Sequence, residues 1–222
     1  MRIHDLCPEW VKWVFEKHDR VRYEAAYPAL FEHYYTYWSA RREIVSPRTI
    51  TEIEACRGLV NDRLRIVDDR FARRGFDLSD LEVVLFVGQG TTNGHAFHNR
   101  DAFAVWLPVE TYTEALFTDV FLAHEIAHAL HYSHSPGCYF DSIPDRHSVS
   151  RQFITEGVAT YASAAILNLG AADCLWGGYL PRDRLDRWMS QCEDRFPEIC
   201  AGILHRFSES IPNSGLFCLL NL

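Results

Sequence analysis

His124-Glu125-Ile126-Ala127-His128 spells H-E-x-x-H within an apolar, helix-forming run from Ala115 to His131. On a helix, residues four apart stand one turn above each other on the same face. Two imidazoles at that spacing can grip one metal ion. Glu125 follows the first histidine directly, so its carboxylate can reach a water beside that ion without being a ligand. These are the working parts of a zinc hydrolase, and metalloprotease is the usual reading of the motif. Short motifs recur by chance, so the flanking residues must decide. Here Phe117, Val120, Phe121, Leu122, Ala123, Ile126, Ala127, Ala129 and Leu130 surround the motif on all sides. A helix apolar all round is a buried helix, and buried histidines with a buried glutamate need a partner such as a metal.

A catalytic zinc takes three protein ligands and a water. Two residues compete for the third place. Glu156 sits in a second helix-forming run, Gln152 to Tyr161, dense in small residues: Gly157, Ala159, Ala162, Ala164 and Ala165. Small residues allow the close helix approach that a bridging ligand requires. His134 is the other candidate, because His124, His128 and His134 have the ligand spacing of H-E-x-x-H-x-x-G-x-x-H. Histidine (His131) stands where that pattern has glycine, and the only internal methionine, Met189, lies in a helical segment rather than a turn. Glu156 is therefore favoured over His134. A carboxylate paired with Arg151 is the structural alternative for Glu156.

The elements that must position these residues can be read from periodicity. The first third is helical and aromatic: one helix from Pro8 through Phe15, a second from Ala29 to Trp38, and a third from Pro47-Arg48-Thr49 to about Arg74. In the third, Ile53, Cys56, Val60, Leu64, Val67 and Phe71 recur at helical steps, and Gly75 is a stop. Its arginines, Arg63, Arg65, Arg70, Arg73 and Arg74, read as a solvated face. Leu81–Val87 and Ala102–Leu107 read as strands, with Asn93-Gly94 as a turn signal between them. Helices are expected again over His147–Leu169, Pro181–Gln191 and about Phe196–Phe207. The apolar end, Ser214 to Leu222, reads as a docking strand or a loose tail. The expected fold is α+β: mostly helical, with a small sheet packed beside the buried motif helix. A single domain over 1–222 is expected, made of a helical part (1–75), the sheet and active-site helices (81–169) and a second helical part (170–222).

The chain has 222 residues, 48% hydrophobic and 23% charged, enough for one sizeable core. Its net charge of −8 argues against nucleic acid as partner. No apolar run is long enough to cross a bilayer, and Met1-Arg2-Ile3-His4-Asp5 lacks the apolar stretch of a signal peptide. No membrane partner and a cytoplasmic location are expected. Seven widely spaced cysteines with no C-x-x-C pair argue against a zinc ribbon or a disulfide framework.

With H-E-x-x-H at 124–128 and Glu156-Gly157 downstream, the chain resembles the gluzincins, metallopeptidases with H-E-x-x-H on one helix and a ligand glutamate on the next. Within them it is similar to uncharacterised bacterial predicted zinc-dependent proteases. The resemblance spans roughly Leu81 to Leu169. It implies a zincin-like fold, one zinc ion per chain held by His124, His128 and Glu156, Glu125 as general base, and a peptide or protein substrate. Some gluzincins place an aspartate four residues after the glutamate, where this chain has Thr160. The resemblance also implies an edge strand binding extended peptide beside the zinc, supplied by Gly94–Phe97 or by Ala102–Val105. Tyr161, Tyr179 and His205 are candidate oxyanion donors by type, with Tyr179 in a Gly177-Gly178-Tyr179 loop that could swing into a cleft. Asp141, Asp145 and Thr160 are candidate supports for the ligand histidines. A silent zinc-fold regulator and a hydrolase of non-peptide amides are the alternative function classes.

Overall fold

The computed structural model describes residues 1–39, 48–176 and 180–211. Helices α1 (Cys7–Phe15), α2 (Arg20–Ala25) and α3 (Pro28–Tyr37) are followed by the long α4 (Ile50–Arg73). Proline in the first turn of α1 and of α3 fits the missing N–H there. The start of α4 is a capping box: Glu52 N–H donates to Thr49 Oγ1 at 3.2 Å, and Thr49 N–H donates to the Glu52 carboxylate at 2.7 Å. The six periodic residues of α4, Ile53 to Phe71, are all buried. Gly75, at φ +85°, takes the left-handed turn that follows the helix.

The sheet has four strands in the order β1-β2-β4-β3: β1 (Arg2–Asp5), β2 (Glu82–Phe86), β3 (His95–Asn99) and β4 (Ala102–Pro108). β1, β2 and β4 are parallel, and β3 runs antiparallel to β4. β1 and β3 are thus the edges. Ala102–Val105, one of the two expected edge segments, lies inside the sheet, since β4 is paired on both sides. The β3–β4 turn is Arg100-Asp101, with Arg100 at φ +57°, whereas Asn93-Gly94, expected as the turn, leads into β3.

Alternation along the strands sends side chains to opposite faces. Trp106 and Phe97 pack on His33 of α3. Phe103 packs on Tyr132 of α5 (Ala115–His134). So α3 covers one face and α5 the other. Helix α5 also packs on α4 and on α7 (Val149–Leu167). A short α6 (Ile143–Arg146) precedes α7, and α8 (Ala171–Trp176), α9 (Arg182–Asp194) and α10 (Phe196–His205) follow it. No described helix is long and apolar enough to cross a membrane. The described cysteines are free thiols. The expected C-terminal apolar segment, Ser214 to Leu222, lies outside the described residues.

The motif helix is anchored by an interaction that spacing did not reveal. Arg63 of α4 forks onto Asp119 of α5, with Nε 2.6 Å from one carboxylate oxygen and Nη2 on the other. Arg63 therefore leaves the solvated face expected for it, and Arg74 likewise reaches the Ala165 carbonyl of α7 at 2.8 Å.

Candidate metal centre

Helix α5 presents His124, Glu125 and His128 where it passes β3 and α7. Helix α5 packs closely on α7, and Ala123 and Ala127 on one helix and Ala159 and Ser163 on the other are small and buried. Gly157 plays no part in this approach. It is exposed, and a Cβ there would meet nothing within 4 Å. Ser148 caps the start of α7, and Asn168, left-handed at φ +58°, ends it.

The close approach brings three donor groups together. His124 Nε2 lies 3.1 Å from Glu156 Oε2, His128 Nε2 lies 3.0 Å from His124 Nε2, and His128 Nε2 lies 3.6 Å from Glu156 Oε1. A tetrahedral zinc with ligands at ~2.1 Å has ligand–ligand edges of roughly 3.4 Å. The three separations bracket that edge, so nitrogen–nitrogen–oxygen donors of this kind fit a zinc ion. His134, the competing ligand, is exposed at the end of the last turn of α5 and is not in the group. Arg151 does not pair with Glu156; it donates to the carbonyls of Gly137 and Tyr139.

Glu156 departs from the buried position its apolar neighbours suggested. Its side chain is 60% exposed, with the carboxylate turned inward to the imidazoles. Desolvation of that carboxylate raises its pKa, but hydrogen bonds and charge from His124 and His128 outweigh this and hold it well below the usual carboxylate range. For His124, burial opposes the imidazolium, yet Glu156 and then Glu125 raise its pKa overall. Glu125 is buried, and desolvation raises its pKa against the lowering effect of the two histidines. A carboxylate whose proton affinity is raised in this way is suited to act as a base and then as an acid.

The group sits in an open cleft of about 830 Å³, lined among others by Trp38, Phe121, Phe140, Arg146 and Thr155. The start of β3 forms one wall. Gly94 is pressed so close to Glu125 that a Cβ there would fall 2.7 Å from Glu125 Cγ. Tyr112, fully buried, donates its hydroxyl to the Asn93 carbonyl and fixes this segment. Tyr132 stacks on His128, ring centroids 5.5 Å apart and 17° from parallel.

Several expected partners are placed elsewhere. Tyr161 is 78% exposed on α7, and His205 is exposed on α10; neither lines the cleft. Tyr179 lies outside the described residues. Asp145 accepts from Ser142, and Thr160 gives its carbonyl to Cys174. His128 Nδ1 is buried without a hydrogen-bond partner among the described residues, so neither these residues nor Asp141 supports that ring. The cleft residues that motif reasoning missed are His95, Tyr132, Arg146 and Gln152. Only His95 had a hint in the sequence, as part of the expected edge segment. Comparison of the chain with protein-family models, curated proteins and solved structures finds no match.

Proposed function

We propose that the chain is a zinc-dependent peptidase of the gluzincin type, with a zincin-like site. The observation that carries this reading is the convergence of His124, His128 and Glu156, whose donor atoms all lie within 4.8 Å of one another, beside the buried Glu125. His124, His128 and Glu156 would hold the ion, which when bound supplies a Lewis acid and lowers the pKa of a water to ~7. Glu125 takes a proton from the attacking water and delivers it to the leaving nitrogen. The edge of β3, which has no strand partner besides β4 among the described residues, aligns an extended peptide by backbone hydrogen bonds. A structural zinc site is closed and has no use for a base; a desolvated carboxylate in an open cleft therefore favours turnover over a silent regulatory role.

The test is zinc content and turnover of the wild type beside three variants. One zinc per chain is expected, lost or weakened by roughly 100-fold or more in Glu156→Ala and unchanged in His134→Ala, a larger loss than outer-sphere partners usually cause. Glu125→Gln is expected to keep the zinc while hydrolysis of a fluorogenic peptide library falls by ~10²–10⁴-fold. A wild type that takes up no zinc, or a Glu125→Gln variant that turns over normally, refutes the reading.

A further inference from the structure

This is an acidic chain, with 30 Asp and Glu against 22 Lys and Arg. Many of its arginines have a carboxylate partner, among them Arg2, Arg20, Arg57, Arg63 and Arg182. Two cleft-lining arginines, Arg146 and Arg151, have none within ion-pair distance among the described residues. Arg146 lies with its guanidinium carbon 4.2 Å from the centroid of the Trp38 ring, and its Nη1 donates to the Tyr37 carbonyl at 2.6 Å. An arginine has five N–H donors; among the described residues the Tyr37 carbonyl is the one hydrogen-bond partner of the Arg146 fork. Burial lowers the Arg146 pKa, with no anion acting the other way. Arg151 uses Nη1 on two backbone carbonyls, and its buried Nε has no partner among the described residues.

A desolvated, stacked, otherwise unpaired guanidinium is costly for folding and well prepared for binding. Stacking on Trp38 and the Tyr37 bond lock the side chain, so little entropy is lost when an anion arrives. We propose that Arg146 forms a carboxylate-binding subsite of the cleft, with Arg151 reinforcing the local positive charge. The substrate is then a peptide that presents a carboxylate beside an apolar or aromatic side chain. This rests on the peptidase reading above.

Arg146 lines the same cleft as Glu125 and Glu156. The His95 ring packs against Trp38, with centroids 4.1 Å apart, and helps hold the indole beneath the guanidinium. Trp38 and Phe140 supply the apolar surface next to the guanidinium. Peptides offer a carboxylate from two sources, the free C-terminus and the side chain of Asp or Glu.

The experiment uses the zinc-loaded Glu125→Gln protein and calorimetric titration with two matched pairs. One pair is N-acetyl-Ala-Phe as free acid and as carboxamide. The other is N-acetyl-Ala-Glu-Phe-amide and N-acetyl-Ala-Gln-Phe-amide. The charged member of one pair is expected to bind ~10–100-fold more tightly, the range of a charge-assisted bidentate pair, and which pair responds identifies the source. Arg146→Met in the same background is expected to abolish the difference. Should that variant unfold, Arg146→Lys keeps the charge and stem and loses the fork; a preference reduced several-fold supports the subsite, and an unchanged one overturns it. Equal binding within both pairs, including no detectable binding, overturns the proposal, as does a preference that survives Arg146→Met. Zinc uptake and turnover of blocked, uncharged peptides by the wild type are read separately. Turnover without carboxylate preference sinks the subsite alone; carboxylate preference without zinc or turnover sinks the peptidase reading.

Discussion

Gly94→Ala probes the contact on which the position of the general base depends. The new methyl carbon would lie 2.7 Å from Glu125 Cγ, 3.2 Å from Cδ and 3.3 Å from Tyr112 Oη. Carbon atoms normally rest ~3.5–4.0 Å apart, so the Glu125 stem must retreat by about 1 Å. It has little room, because Glu125 is buried and Tyr112 is fully buried behind it. Crowding of this kind costs about 1–3 kcal/mol. The backbone adds to it: Gly94 has φ +157°, on the edge of a region that residues with a Cβ avoid at about 1–3 kcal/mol. The total expected loss of stability is roughly 2–6 kcal/mol.

Two assays separate these contributions. In chemical unfolding, Gly94→Ala is made in the wild type and in Glu125→Ala. The backbone strain remains in both backgrounds, whereas the crowding disappears once Cγ and Cδ are gone. A coupling of about 1–3 kcal/mol is expected. In turnover, a displacement of ~1 Å at the base is expected to lower kcat by ~100-fold, with zinc content unchanged because none of His124, His128 and Glu156 is touched. Costs that agree within ~0.5 kcal/mol in the two backgrounds would show that Gly94 does not position Glu125.

Arg63→Met leaves Asp119, whose side chain is only 13% exposed, without its bidentate partner; a loss of about 3 kcal/mol is expected in urea unfolding, largely recovered by adding Asp119→Leu, and a loss below ~1 kcal/mol would reduce the pair to an ordinary surface ion pair. Stability is also expected to depend on pH through His33, whose pKa falls from its ordinary 6.5 to about 4 under burial and then the charges of Arg146 and His98. Between those values the unfolded chain binds the extra proton, so stability is complete above about pH 6.5 and declines as the pH drops toward 4. At about 1.4 kcal/mol per pH unit, the window is worth up to ~3 kcal/mol. Thermal unfolding from pH 7 to 4 measures it, and an unaltered slope in His33→Phe would remove His33 as its source.

Periodic apolar residues told where α4, α5 and α7 run, because each of those helices buries one continuous stripe or its whole surface. β1 escaped notice for the opposite reason. Arg2-Ile3-His4-Asp5 is an edge strand with one partner and Ile3 44% exposed, so it carries no apolar alternation. The β3–β4 turn was missed because Arg100 occupies a left-handed position that sequence signals assign to Gly or Asn. At the site, His124 and His128 were legible because helical spacing and chemical type coincide in them, and Glu156 through its small-residue helical run and the gluzincin resemblance. Arg146 was not, since a lone arginine after Ile143-Pro144-Asp145 has no signature until the fold brings Trp38, some hundred positions earlier, beneath it.

The same logic explains how the ligand ring of His128 is held. Ligand histidines usually give their second nitrogen to a carboxylate or carbonyl, which fixes the ring and its tautomer. His128 Nδ1 has no such partner among the described residues. Its orientation is fixed instead by packing: the ring is stacked on Tyr132, which in turn rests edge-on against Tyr139 and on Phe103 of β4. The sheet therefore positions the site twice, through Gly94 against Glu125 and through Phe103 and Tyr132 against His128. Orientation by stacking leaves the tautomer to the Nε2 side, where His124, Glu156 and the proposed ion lie. Changes at Tyr132 should accordingly be felt in metal affinity before they are felt in the fold of α5, which keeps its apolar contacts to α4 and α7.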